Sequence, residues 1–184
     1  RGTRVRKMHT SRRDAFRSLG VDHIGEIEFP SRKVTLADDA VRRGTRSLAL
    51  HDALDPRCAL VQFYPGMSPD ILKAYEGYHG LVIAGTGLGH TSTTLIPQLK
   101  HLAASGTLVI MTSQCMNGRV CDRVYDTGRD LISAGVIEGG DLLPEVALVK
   151  LMWVLANEMD RKKAAAMMQD DLKGECMRRS AHGL

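Results

Sequence analysis

Aromatic side chains are scarce in this 184-residue chain, which has four Tyr, three Phe and a single Trp. Proteins that bind single-stranded nucleic acid stack successive bases on several aromatic rings, but Phe16 is the only aromatic residue among the arginines of residues 1–17. Burial must therefore depend mainly on Leu, Val, Ile, Ala and Met. The hydrophobic fraction of 43% is nevertheless normal for a globular protein and argues against disorder.

The chain also lacks an export signal and a continuous apolar run of about 18 residues, the length that crosses a bilayer. Its four cysteines contain no CxxC pair, whereas structural zinc sites use ligands spaced only a few residues apart. We therefore expect no metal site, and thiols that are buried or inert. Together these absences predict a cytoplasmic protein without membrane contact. The cysteines are Cys58, Cys115, Cys121 and Cys176.

The glycine-rich stretch GTGLGH, at residues 85–90, lacks the spacing of a nucleotide-binding loop. Its G-x-G-x-G pattern matches neither the dinucleotide fingerprint nor the Walker loop. The stretch instead predicts a tight turn between a strand and a helix, at the carboxyl edge of a sheet where α/β proteins place ligands. His90 at the tip of this turn is a candidate ligand contact, and a surface residue at the start of a helix is the alternative.

Positive charge is concentrated near the start of the chain. Residues 1–50 contain twelve Lys and Arg against six Asp and Glu, whereas the remainder contains thirteen against fifteen. Such a segment can attract the phosphates of nucleic acid, and a solvated basic edge is the alternative.

Lys7 lies in this segment. A lysine can act as a general base only where burial or neighbouring cations favour its neutral form, so a surface lysine is the alternative for Lys7.

Three apolar runs predict buried strands at residues 58–63, 81–85 and 107–113. Helical patterns separate and follow them. Strands that alternate with helices over short connections predict an α/β fold, in which helices cover both faces of a parallel sheet in three layers. The predicted helices are 68–77, capped by Ser68; 94–106; 124–135; and 141–157, capped by Asp141 with Leu148, Leu151, Met152 and Leu155 facing inward.

We assign residues 55–184 to this α/β domain, with a charged helical tail on which Asp170 and Asp171 form a solvated face. Residues 1–54 differ in character. They are predicted to contain a short helix over DAFRS, at residues 14–18, and a strand over HIGEIEF, at residues 23–29. The polar, turn-rich residues 31–47 are predicted to be a linker.

Several segments, in this order, resemble the asparaginase/glutaminase family: GTRVRKMHTSRRDAFRS, AGTGLGH, MTSQC, VYDTGRDLISAGVIEGGD and LPEVALVKLMW. The most specific are TSQC with VYDTGRD, and RKMHTSRRDAF. Within the family, the chain resembles most the asparaginase-like subunits of archaeal tRNA-dependent amidotransferases, which have a similar ending to LKGECMRRS. The resemblance implies that residues 1–54 are the C-terminal remnant of an N-terminal asparaginase domain plus a linker.

The resemblance also implies a reaction, in which a threonine nucleophile hydrolyses the side-chain amide of Gln or Asn. Lys7 aligns with the family's catalytic lysine through the V-x-K-x-x-T spacing, and a neutral lysine could take the proton of a threonine. His90 is implied to contact the substrate of the neighbouring subunit in a homodimer. A kinase-like partner subunit would use the ammonia to form Gln-tRNA(Gln) from Glu-tRNA(Gln), so tRNA is an indirect partner. ATP and Mg are expected only in that partner, and no cofactor in this subunit.

The family's two threonine motifs and their aspartate do not occur in the chain, which begins without methionine. We therefore expect a fragment that is inactive alone. Cys121 and Arg123 stand where the family often has asparagines. Two alternatives remain open from the sequence. One is a cytoplasmic type I L-asparaginase, and the other is a non-catalytic module that binds protein or tRNA through the sheet edge and the basic segment.

Overall fold

A computed structural model describes residues 2–12, 15–44 and 47–179 of the chain. Its contacts divide the chain into two units, and the division falls between His51 and Asp52. In the part of the chain that the structure describes, no helix has both the length and the apolar character needed to traverse a bilayer.

The first unit is built from two antiparallel ribbons of two strands each. Strand β1 (Val5–Lys7) pairs with β2 (Phe16–Ser18), and β3 (Gly25–Ile27) pairs with β4 (Val34–Leu36). The predicted strand over HIGEIEF therefore contains β3.

Two predictions for the first unit are wrong. Residues 16–18 of the predicted helix form β2, and the predicted linker contains β4. Both segments satisfy their backbone groups by pairing with a neighbouring strand, which a reading of local composition does not reveal. Asp14 of the predicted helix and residues 45–46 of the predicted linker lie outside the described residues.

The ribbons of the first unit leave large apolar side chains exposed. Ile27 and Val34 face each other across the second ribbon, and both are at least 60% exposed. Exposed apolar side chains that lie together mark a surface that contacts another protein segment. Leu36 of the same ribbon, Phe16 of the first ribbon and Phe29 after β3 are also exposed.

The second unit contains a four-stranded parallel sheet in sequential order: β5 (Cys58–Gln62), β6 (Gly80–Gly85), β7 (Leu108–Ser113) and β8 (Ile137–Glu138). The first three strands coincide with the predicted ones. Strand β8 has only two residues, too few to show an alternating or apolar pattern in the sequence.

Helices cover both faces of this sheet, because successive side chains of each strand point to opposite sides. Leu81 and Ile83 of β6 pack on one side, and Val82 packs on the other. The prediction of a three-layer α/β domain is confirmed. The first side is covered by α1 (Asp70–Lys73), α2 (Ile96–Ala104) and α3 (Asp126–Ser133), and the second by α4 (Pro144–Asn157) and α5 (Arg161–Gln169).

Details of the predicted helices need correction. Helix α1 is a single turn that ends at Lys73, not at Gly77. Asp141 does not cap α4, whose N-cap is Leu143; the Asp141 carboxylate instead accepts a hydrogen bond from the Met177 N–H at 2.9 Å. The buried residues of α4 also differ from the predicted set. Of the four predicted residues, Leu151 is fully buried and the other three are half-buried. The buried residues that were not predicted include Ala147, Lys150 and Val154.

The predicted tail is not a continuous helix. Helix α5 ends at Gln169, so Asp170 and Asp171 do not form a helical face. The segment after it is instead bound to α4 by an ion pair between Lys150 and Glu175, whose charged atoms lie 2.7 Å apart and whose side chains are 5% and 4% exposed. Residues 180–184 of the tail lie outside the described residues.

Glu175 is the centre of this buried contact. Its carboxylate accepts hydrogen bonds from the Leu172 N–H at 3.0 Å and the Lys173 N–H at 2.6 Å, in addition to the Lys150 ammonium. Burial alone would raise the pKa of Glu175, but these bonds outweigh it and hold the pKa well below its usual value. The carboxylate therefore stays charged and keeps the segment after α5 folded against α4.

Candidate functional site at the carboxyl edge of the sheet

The GTGLGH turn follows directly from β6, as predicted, and closes on itself. Thr86 and His90 exchange backbone hydrogen bonds, both 2.9 Å long. A Cβ on Gly85 would lie 2.9 Å from backbone atoms of this turn, and one on Gly89 would lie 2.7 Å from a methyl group of Val120. Close packing therefore explains these two glycines without a bound nucleotide.

Polar residues at the end of β7 hold this turn in place. The Ser113 hydroxyl donates to the Gly87 carbonyl at 2.6 Å, and the Gln114 N–H donates to the Gly85 carbonyl at 2.8 Å. The side-chain amide of Gln114 also donates to the carbonyls of Phe63 at 2.7 Å and Ala84 at 2.8 Å. Gln114 thus ties together the carboxyl ends of the three longest strands.

The sequence alone indicated TSQC as a family motif but gave no role for its Ser and Gln. The available signal was the switch within β7 from apolar residues to the polar run Thr-Ser-Gln at its carboxyl end. In parallel sheets such residues face the region where ligands bind.

His90 is held against the loop that leads into α3. Its ring packs edge-on against Tyr125, with ring centroids 5.1 Å apart and planes at 74°. Both ring nitrogens are shielded from solvent, and neither has a hydrogen-bond partner among the described residues. A buried polar group without a partner is unfavourable, and this cost keeps His90 a candidate for a ligand contact.

Lys7 is the second candidate from the sequence, and it lies in the first unit. It is the last residue of β1, opposite Phe16, and its side chain is exposed. Its catalytic role remains a prediction, because the threonines that it would serve are not part of this chain.

Asp122 is a buried carboxyl that the sequence analysis missed. Its side chain is fully buried, and neither oxygen has a hydrogen-bond partner among the described residues. Burial, together with the nearby charge of Glu138, raises the pKa of Asp122 to about 7. Its backbone lies against α3 so closely that a Cβ on Gly128 would overlap the Asp122 carbonyl oxygen. No spacing in the sequence marks this aspartate as buried.

Asp122 makes the stability of the second unit depend on pH. Because the folded state raises the pKa from 3.8 to about 7, the carboxyl has little effect on stability below pH 3.8. Stability is lost progressively as the pH rises from 3.8 to about 7, because the unfolded chain ionises first, and the loss is complete above that range. We expect Asp122→Asn to increase the free energy of unfolding by a few kcal/mol at pH 8, since each pKa unit corresponds to about 1.4 kcal/mol.

Urea denaturation of both proteins between pH 5 and pH 8 measures this effect, which should shrink towards pH 5. Asp130→Asn, an exposed residue of α3, is the matched control and should show no such trend. An equal effect of Asp122→Asn at both ends of the range would contradict the assignment.

One group of potential metal-binding atoms occurs among the described residues, at Asp171, Glu175 and Cys176, with the atoms within 4.8 Å of one another. It does not suit a metal ion. Glu175 is already bonded to Lys150 and to two N–H groups, and burial raises the pKa of Cys176, which favours the neutral thiol over the thiolate that binds metals.

The sequence model of the glutaminase/asparaginase C-terminal domain matches residues 57–168, which is more than half of the chain. The chain belongs to the glutaminase/asparaginase family. The match contains the whole parallel sheet and the GTGLGH turn, so the edge described above is part of the family's C-terminal domain. The resemblance stated from the sequence is confirmed.

Curated members of the family match almost the entire chain. The D subunit of glutamyl-tRNA(Gln) amidotransferase from Methanosarcina barkeri is 53% identical over 177 residues, which are 95% of this chain and 42% of that relative. The D subunit from Archaeoglobus fulgidus has the same identity and the same coverage. The chain thus spans 42% of the length of these curated relatives.

Solved structures of family members share the fold. The thermostable L-asparaginase from Thermococcus kodakarensis matches with a TM-score of 0.84 and 31% identity, over 97% of this chain and 54% of that one. L-asparaginase I from Vibrio cholerae matches with a TM-score of 0.81 and 27% identity, over 96% of this chain and 54% of that one.

Proposed function

We propose that the chain is the C-terminal part of a glutamine-hydrolysing subunit that supplies ammonia to a tRNA-dependent amidotransferase, which forms Gln-tRNA(Gln) from Glu-tRNA(Gln). The observation that carries the proposal is the difference in identity. The chain is 53% identical to two amidotransferase D subunits, but 31% and 27% identical to the two L-asparaginases.

In this proposal the preceding part of the full-length protein supplies the nucleophilic threonine, a second threonine and an aspartate. Lys7 accepts the proton of the nucleophile, and hydroxyl nucleophiles need such a base. The exposed apolar side chains of the first unit support a larger domain there, since Ile27 and Val34 would be covered by it. The chain alone is then inactive.

His90 contacts the substrate bound by the neighbouring subunit of a homodimer. Its two buried nitrogens, which have no partner among the described residues, support such a contact, because a substrate carboxylate or amide would supply the missing hydrogen bond. Ser113 and Gln114 act indirectly, by fixing the turn that carries the imidazole.

The ammonia passes to a kinase-like partner subunit. That partner binds ATP and Mg and contacts the tRNA directly. The glutamine-hydrolysing subunit itself needs no cofactor, because threonine and lysine suffice to hydrolyse an amide. Four cysteines that are free thiols support a cytoplasmic setting for the complex.

A type I L-asparaginase is the second candidate, and the similarity to L-asparaginase I from Vibrio cholerae favours it. The two candidates differ in amide preference and in partner. An asparaginase would act on Asn without a second subunit, whereas the amidotransferase subunit would prefer Gln.

Ammonia release by the full-length protein distinguishes the candidates. We expect Gln to be hydrolysed in preference to Asn, with a rate that rises when the partner subunit and Glu-tRNA(Gln) are added, and no ammonia from the 184-residue chain alone. A preference for Asn that is insensitive to both additions would establish the asparaginase instead. Binding of tRNA by a full-length protein without any hydrolysis would leave only the interaction module.

A further inference from the structure

A cavity of about 440 Å³ opens beside the end of the described chain, within the second unit. Its walls come from the loop at residues 119–123, from Glu138–Gly140 at the end of β8, and from Gln169 and residues 176–178. Cavities of this volume are typical of sites for small ligands. Neither Lys7 nor His90 lines it.

The walls of the cavity carry an excess of positive charge. Three guanidinium groups line it, those of Arg119, Arg123 and Arg178, against the single carboxylate of Glu138. The lining therefore has a formal charge of +2. Arginine is the side chain best suited to bind phosphate or carboxylate, because its planar fork makes two parallel hydrogen bonds to such groups.

Arg119 is a fixed member of this wall. Its guanidinium donates to the carbonyl of Arg178 at 2.7 Å and to that of Met177 at 3.1 Å. Gly140 leaves room for it, since a Cβ there would lie 3.3 Å from the Arg119 Nη2 atom. The two bonds engage two of the five N–H donors of a guanidinium, and the charge stays at the wall.

Arg123 is held less firmly. Its side chain is 80% exposed, and its Nη2 atom lies 3.4 Å from the Glu138 carboxylate, beyond the usual length of a hydrogen bond. An exposed ion pair of this kind contributes little to stability, so the guanidinium can turn towards a ligand. The exposed Arg178 is the third donor.

We propose that this cavity is a binding site for the phosphate group of a ligand. A phosphate monoester carries a charge close to −2 at neutral pH, which neutralises the lining, whereas a single carboxylate would neutralise only half of its charge. The phosphate accepts hydrogen bonds from Arg123 and Arg178 while Arg119 fixes the back of the site.

Cys121 lines the cavity, so the rate at which its thiol is alkylated shows whether a ligand is bound there. In a Cys115→Ser variant it is the reactive thiol, because Cys115 is exposed, while burial raises the pKa of Cys58 to about 12 and also raises that of Cys176. We expect inorganic phosphate to slow the alkylation of Cys121 by iodoacetamide, by about fivefold at four times the dissociation constant. Sodium chloride at the same ionic strength should not.

Substitutions distinguish phosphate binding in this cavity from a general effect of positive charge on the protein. Arg123→Ala with Arg178→Ala should abolish the protection, whereas Lys100→Ala, an exposed cation on α2, should leave it unchanged. Each phosphodiester of an RNA backbone carries one negative charge, so two of its phosphates would be needed to neutralise the lining. A short oligouridylate that protects at a much lower concentration than phosphate would identify such a backbone as the source, and protection by phosphate alone would identify a free ligand.

The proposal is overturned if neither probe slows the alkylation more than sodium chloride does, or if the double variant is protected as well as the parent. The assay contains no amide substrate, so its result is independent of the proposed amidohydrolase activity.

Discussion

Replacing Glu175 by Ala will lower the free energy of unfolding of the second unit by about 3–5 kcal/mol, the usual effect of leaving a buried charge without its partner. The Lys150 side chain is 5% exposed, so its ammonium would stay buried without the carboxylate that compensates its charge. The segment after α5 would also lose the acceptor for the N–H groups of Leu172 and Lys173. Urea denaturation at pH 7 measures the change.

Two further variants test whether the buried charge is the cause. Lys150→Met combined with Glu175→Gln removes both charges but keeps a side-chain oxygen that can accept from the Leu172 or Lys173 N–H. It should recover part of the lost stability, because no buried charge is left without a partner. Asp130→Ala, which removes an exposed carboxylate from α3, should change stability by less than about 0.5 kcal/mol. A double variant as unstable as Glu175→Ala would contradict this explanation.

Replacing Lys7 by Met in the full-length protein will reduce amide hydrolysis by about 10²–10⁴-fold, the usual contribution of a general base. The side chain is exposed at the end of β1 within this chain, so its removal should leave the fold and the thermal midpoint unchanged. The loss should appear in kcat, because the lysine is proposed to move a proton and not to bind the substrate.

Lys33→Met is the matched control, since Lys33 is an exposed lysine of the same unit. It removes the same charge and should leave kcat within about twofold of the parent value. Retention of full activity by Lys7→Met would exclude this lysine as the base, even though the chain belongs to the family.

The sequence was sufficient to predict the layered fold, because β6 and the first four residues of β7 form apolar runs and the side chains of both strands are buried on both faces. The sequence was misleading where contacts between distant segments determine the partner of a polar side chain. Aspartate is a residue type that often caps helices, and Asp141 lies just before α4. Its carboxylate instead accepts a hydrogen bond from the Met177 N–H in the segment after α5. Lys150 lies among apolar residues of α4, and only the folded chain shows that Glu175 is its partner.

The candidate site was predictable in position but not in detail. A glycine-rich turn after a buried strand placed His90 at the carboxyl edge, and the structure agrees. The hydrogen bonds of Gln114 join strands whose residues are 30 to 51 positions away from it in the chain, so no local pattern shows them. The burial of Asp122 depends in the same way on the approach of Gly128 in α3.

The most direct test of the account is to mix two variants of the full-length protein, Lys7→Met and His90→Ala, each of which should lose most of its activity because it removes a side chain proposed to act at the site. If Lys7 serves its own subunit and His90 serves the neighbouring one, dimers of Lys7→Met with His90→Ala contain one site with both residues intact. After exchange of subunits at equal amounts, random pairing in a two-fold dimer should restore about one quarter of the parent activity. A mixture that stays as inactive as its components would contradict the shared site and the role of His90 in it.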